Sequence, residues 1–158
     1  MTAPKNIPII ILTHFPLHCI PKSGSSSSDR YTEYAGDMIE LLNNYPNVVF
    51  LWGHNHSNSD PMYKSIQGPD YTMSTTSGTS AAVINKKINF LYVPMGGMRD
   101  AEYKDGKSVD IKHKGLVLKI DGTQLTFTYY DKNCNVTTDS GWDAAAVYNW
   151  TGGKYVKQ

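Results

Sequence analysis

A chain of 158 residues with a formal net charge of +1 and a pI near 7.7 is long enough for one core, and its charge balance argues against a general binder of nucleic-acid polymers or membrane surfaces. Charged residues make up only 18%, against 11 Tyr and 13 Gly, which suits a loop-rich, β-rich domain better than a helical bundle. No stretch reaches bilayer-spanning length, and the apolar N-terminal run ends in His-Phe-Pro without a small-residue cleavage pattern, so neither a transmembrane segment nor a signal peptide is expected. The default location is the cytoplasm, and secretion of a longer parent stays open. Cys19 and Cys134 do not define a disulfide framework. Cys19 is expected as a small buried hydrophobe, with a soft metal ligand as the alternative.

Residues 7–12 are almost wholly apolar and β-branched, which predicts a strand buried on both faces. The strand closes on Thr13-His14-Phe15-Pro16. Residues 17–32 read as a polar loop with four consecutive serines, either bordering a substrate cleft or lying on the open surface. Over residues 33–45 the offsets of Tyr34, Met38, Leu41, Leu42 and Tyr45 predict one face of an amphipathic helix, ended by Asn43-Asn44 and Pro46. A strand follows at 48–52 and runs into Trp52-Gly53-His54-Asn55-His56-Ser57. The order strand–loop–helix–strand predicts that the two strands lie parallel in one sheet. Both histidine-bearing C-terminal ends then reach the same edge, where open α/β sheets hold ligands. Gly53 is expected to allow a close backbone approach, and Asn55 to brace the loop.

Residues 58–77 read as a long loop, 79–84 and 88–93 as short strands, and 95–112 as a charged loop. Gly115 to Ile120 and Thr123 to Tyr130 form a clear hairpin around Asp121-Gly122. Leu125, Phe127 and Tyr129 alternate with polar residues, predicting one buried and one wet face. The division expected is a domain over 1–140 and an aromatic, Gly-rich tail over 141–158, which either packs on the domain or leads out of it.

His14, His54 and His56 are the candidate metal ligands, because strand-end imidazoles at one sheet edge can converge on one point. Neutral imidazole suits Zn, Ni and Fe, and Mn at mixed oxygen sites. His18 is a candidate substrate-phosphate contact or extra ligand, though a surface position is its ordinary expectation. His113 is expected to be solvated. Arg30 and Arg99 are the only arginines and have surface roles by default, with phosphate clamping as the alternative.

Gly53-His54-Asn55-His56 and the strand-terminal Thr13-His14-Phe15-Pro16 resemble, in order and spacing, the last two signatures of the calcineurin-like metallophosphoesterases. The resemblance covers roughly residues 5–130. The family's earlier motifs (Asp-x-His, Gly-Asp-x-x-Asp, Gly-Asn-His-Asp/Glu) do not occur in the short segment before His14. Gly36-Asp37-Met38-Ile39-Glu40 imitates one of them but falls in a helical pattern on the wrong side of His14. The chain therefore resembles the C-terminal half of such a domain.

The resemblance implies an α/β (α+β) fold, part of a four-layer αββα sandwich with mixed sheets, whose C-terminal portion is β-rich. It assigns His14 and His54 to one metal and His56 to a second, with the other ligands and the general-acid His in the missing half. The parent would hydrolyse phosphate mono- or diesters with two divalent ions (Mn, Zn, Fe or Ni). The chain alone would hold at most one ion and be inactive or nearly so. The alternative is a stand-alone three-His metal-binding or partner-completed β-rich module, and a third reading is a structural domain whose histidines bind nothing. An uncovered sheet edge on strand 7–12 predicts homo-oligomers.

Overall fold

The computed structural model describes residues 5–19, 32–54, 62, 64–79, 82–96, 101–104, 107–110, 114–138 and 142–158. They form eleven strands and one α-helix, so the chain is β-rich. Strands β1 (Ile9–Thr13) and β2 (Val48–Trp52) flank helix α1 (Ala35–Leu42) in sequence. They pair in parallel with Thr13 opposite Trp52, as the strand–helix–strand order predicts. Strands β3 (Thr72–Thr76) and β4 (Val83–Lys87) make an antiparallel hairpin, and β5 (Leu91–Pro94) pairs in parallel with β2. The first sheet is thus ordered β1-β2-β5.

Two stretches expected to be loops contain strands. Strand β3 lies in the expected loop 58–77, and its partner β4 overlaps the short strand expected over 79–84. The expected loop 95–112 contains the hairpin of β6 (Ala101–Lys104) and β7 (Lys107–Asp110). The β3 strand escapes a hydropathy reading because its buried residues include Thr75 and Thr76. Their hydroxyls donate to the carbonyls of Leu17 and Thr32, at 2.6 and 3.1 Å, so polar side chains enter the core without an unpaired group.

The second sheet is antiparallel, ordered β11-β10-β9-β8. Strands β8 (Gly115–Asp121) and β9 (Gln124–Tyr130) are the expected hairpin, displaced by one residue: Asp121 pairs with Gln124, and the turn is Gly122-Thr123 with Gly122 at φ 59°. Glycine takes the left-handed conformation at the first turn position at no steric cost. The segment after residue 141 packs on the domain. Its strands β10 (Ala145–Thr151) and β11 (Lys154–Lys157) extend the sheet from β9 and are joined by Gly152-Gly153, both at positive φ.

The first sheet is packed on both faces along β2 and β5. Phe50, Trp52 and Tyr92 meet α1 and the β3–β4 region in one cluster, with Ile39, Leu42 and Met73. Val49, Leu91 and Val93 meet Leu125, Phe127 and Tyr129 of the second sheet in another. Tyr129 joins the sheets directly, donating its hydroxyl hydrogen to the Pro94 carbonyl.

Strand β1 departs from the expectation of burial on both faces. It alternates, with Ile9 and Ile11 against the first core and Ile10 and Leu12 exposed. It is the edge of its sheet, and the second sheet covers Val49 and Leu51 but leaves β1 open on that face. Of the helix face expected to turn inward, only Leu42 does so, and the rest of the buried face is made of other residues. Ala35, Gly36, Ile39 and Leu42 are buried, while Tyr34, Met38, Leu41 and Tyr45 are exposed. Small residues decide this. A Cβ on Gly36 would stand 2.7 Å from the Thr76 carbonyl oxygen and 3.1 Å from Ile84 Cδ1, so only a glycine lets α1 approach the hairpin this closely. Asn43 caps the helix as expected and ties it to β4. Its amide donates to the Lys87 carbonyl at 2.9 Å and its side-chain oxygen accepts from the Asn89 amide at 2.8 Å.

Candidate metal centre

The parallel pairing of β1 and β2 places their C-terminal ends side by side, with the Gly53 amide donating to the His14 carbonyl at 3.3 Å. The next residue, His54, adopts φ 67°, a left-handed conformation that a short polar side chain tolerates and a β-branched one does not. The two imidazoles meet at the sheet edge: His54 Nδ1 lies 3.0 Å from His14 Nε2, with the rings 85° apart in an edge-on arrangement. The exposed Phe15 packs on both rings, at centroid distances of 5.0 and 4.8 Å.

Gly53 is not needed for the close approach expected of it. A Cβ there would meet the His14 oxygen and Met95 Cε at 3.7 Å, ordinary contact distances. The demanding backbone position is His54 itself.

His18 is not at the surface. It is 3% exposed, its Nδ1 lies 2.9 Å from the Tyr92 hydroxyl, and its ring stands edge-on to Trp52 at 4.7 Å. It is therefore a core residue, packed against Tyr92 and Trp52. Cys19 is half-buried, and its amide donates to the Ser74 carbonyl at 2.9 Å. His56, Asn55, Arg30, Arg99 and His113 lie outside the described residues, as does most of the serine-rich loop.

Among the described residues, no group of three or more His, Cys, Asp and Glu side chains is gathered as a metal site. The donor chemistry of the pair nonetheless fits a divalent ion. Two imidazole nitrogens about 2.1 Å from one shared ion stand about 3.0 Å apart across a right angle and about 3.4 Å apart across a tetrahedral one. The observed 3.0 Å also equals a normal N–H···N hydrogen bond between two neutral rings, one donating and one accepting.

This chain matches no protein family, no curated protein and no solved structure.

Tyr92 was legible in the sequence only as part of a short strand. A tyrosine inside the apolar run Leu91-Tyr92-Val93 needs a hydroxyl partner once buried. That requirement was the available signal that something polar packs against β5. Trp52 is fully buried, its indole nitrogen has no hydrogen-bond partner among the described residues, and its ring packs against His18 and Tyr92.

Proposed function

We propose that His14 and His54 are two ligands of a divalent-metal centre belonging to a phosphoesterase of the calcineurin-like type, with His56 serving a second ion. The observation that carries this reading is the pair itself. Two imidazoles from the C-terminal ends of adjacent parallel strands face each other at 3.0 Å on an open edge. Their order, with a strand-terminal His first and Gly-His-x-His second, supports it. The first sheet, covered by a helix on one face and a second sheet on the other, is compatible with part of a four-layer αββα sandwich.

In this reading His14 and His54 bind and orient one ion, which supplies Lewis acidity toward a phosphoryl oxygen of a phosphate mono- or diester. Phe15 packs against both rings. No bridging carboxylate is supplied by the segment before His14, so the remaining ligands would come from outside this sequence, and the chain alone would hydrolyse phosphoesters weakly or not at all.

The second reading is a structural β-rich domain whose histidines bind no metal. It is favoured by the same 3.0 Å distance read as a hydrogen bond. Titration of the chain with Mn2+, Zn2+ and Co2+ by calorimetry separates the two. The metal-centre reading expects uptake that is lost in His14→Ala and in His54→Ala. Equal uptake by all three proteins, or none by wild type, would overturn it. An immunoblot of the native product then bears on the parent, where a mass well above 17.6 kDa supports a completed phosphoesterase domain.

A further inference from the structure

Tyr92 touches both segments that carry the paired histidines. Its hydroxyl accepts the Leu17 amide hydrogen at 2.7 Å and pairs with His18 Nδ1 at 2.9 Å, gripping the stretch that follows His14. Its ring stacks on Trp52 at 5.3 Å with the planes 21° apart, supporting the stretch that leads to His54. All three side chains are buried: Tyr92 and Trp52 are 0% exposed and His18 is 3% exposed. The His14 segment has further anchors. Thr75 Oγ1 donates to the Leu17 carbonyl at 2.6 Å, and the Thr32 hydroxyl donates to the Pro16 carbonyl at 2.7 Å. The His14 backbone is tied to the β2 end by the β1–β2 ladder and by the Gly53 amide at 3.3 Å, while the side chains of His14 and Phe15 are exposed and gain further support from the residues just beyond them.

We infer that Tyr92 is a positioning residue for the metal centre. The β1–β2 ladder and the Gly53 amide fix the two segments up to His14, and the Tyr92 hydroxyl fixes the chain just past it, at Leu17 and His18, and so restrains the spacing of the two imidazoles. This rests on the metal reading for its consequence but not for its geometry. A fixed ligand pair binds an ion without first having to be ordered. Residues that orient ligands from behind are commonly worth about 10- to 100-fold in metal affinity when lost.

The test is Tyr92→Phe, which keeps the ring stack and removes only the hydroxyl. Two readouts are taken: the side-chain 15N signals of the histidines in metal-free protein, and Co2+ binding followed by its visible absorption. The expected result is that the His14 and His54 ring signals shift together with His18. Co2+ affinity falls about 10- to 100-fold with an altered spectrum. Phe127→Leu, which loosens the other core, leaves the His14 and His54 signals in place and controls for general destabilisation. If His18 alone moves while His14 and His54 keep their wild-type signals, the inference is overturned. Should Tyr92→Phe fail to fold, Thr75→Val removes a different anchor of the same segment, and unchanged His14 and His54 signals there overturn the inference equally. If wild type binds no Co2+, the metal reading fails by itself, and the ring nitrogens still decide the positioning role.

Discussion

His54 holds its imidazole on a left-handed backbone at φ 67°, one residue past the end of β2. For a residue with a Cβ this conformation costs on the order of 1 kcal/mol, and glycine escapes that cost. The strain has a visible return, because it turns the side chain toward His14. His54→Gly is therefore expected to be more stable than His54→Ala by about 1 kcal/mol in urea unfolding, although both lose the imidazole. Equal stability of the two variants would mean that the backbone relaxes out of the left-handed region once the imidazole is gone. The motif residues His14 and His54 were legible as a pair because strand-terminal position and parallel order are written in local pattern. The burial of His18 was not. One histidine in a polar stretch carries no periodicity, and only the Tyr92 hydroxyl from a strand distant in sequence makes its burial favourable.

Among the elements, Asp70 joins two hairpins that are far apart in the chain. Its carboxylate accepts from Lys154 of β11 at 2.8 Å and lies 2.7 Å from Lys87 of β4. These two ammonium groups, Lys154 first, hold its pKa at about 2 instead of 3.8. A depressed carboxylate stabilises the fold above its unfolded pKa and loses that contribution as pH falls through the folded value. The gap in urea midpoint between wild type and Asp70→Asn should therefore be constant above about pH 5 and narrow steadily as pH falls through 3.8 toward about 2. Because the group is exposed, the gap should also shrink in high salt. A gap that is as wide at pH 2 as at about pH 5 would show that the substitution acts through packing. The helix shows why periodicity alone fell short. Apolar residues occupy two of its faces, 34/38/41/45 and 35/39/42, and both have helical spacing. The close contact that Gly36 allows with Thr76 selects the second.

On the scale of the molecule, apolar side chains are exposed on and just before β1 and on the outer face of α1, among other places. Leu12 is 69% exposed, Ile7 54% and Ile10 42%, and among the described residues β1 has a ladder partner only in β2. A free strand edge with apolar side chains is a template for pairing with another strand. Sedimentation over a range of concentrations should show a self-associated species, and Ile10→Lys with Leu12→Lys should shift it toward monomer. A wild-type monomer at all concentrations would show that β1 is covered in some other way.

Local pattern by itself determined the two histidine-bearing strands and their parallel order, the helix between them with its Asn43 end, and the β8–β9 hairpin with its buried Leu125, Phe127 and Tyr129. Each of these rests on short-range periodicity, turn residues or a connection rule. Only the tertiary structure decided that β1 is an edge, that polar Thr75 and Thr76 are core residues, that α1 buries its smaller face, and that His18 is a core residue packed against Tyr92. These are matters of which surfaces meet and which hydrogen bonds are satisfied across the chain, and such pairings have no signature within a window of neighbouring residues.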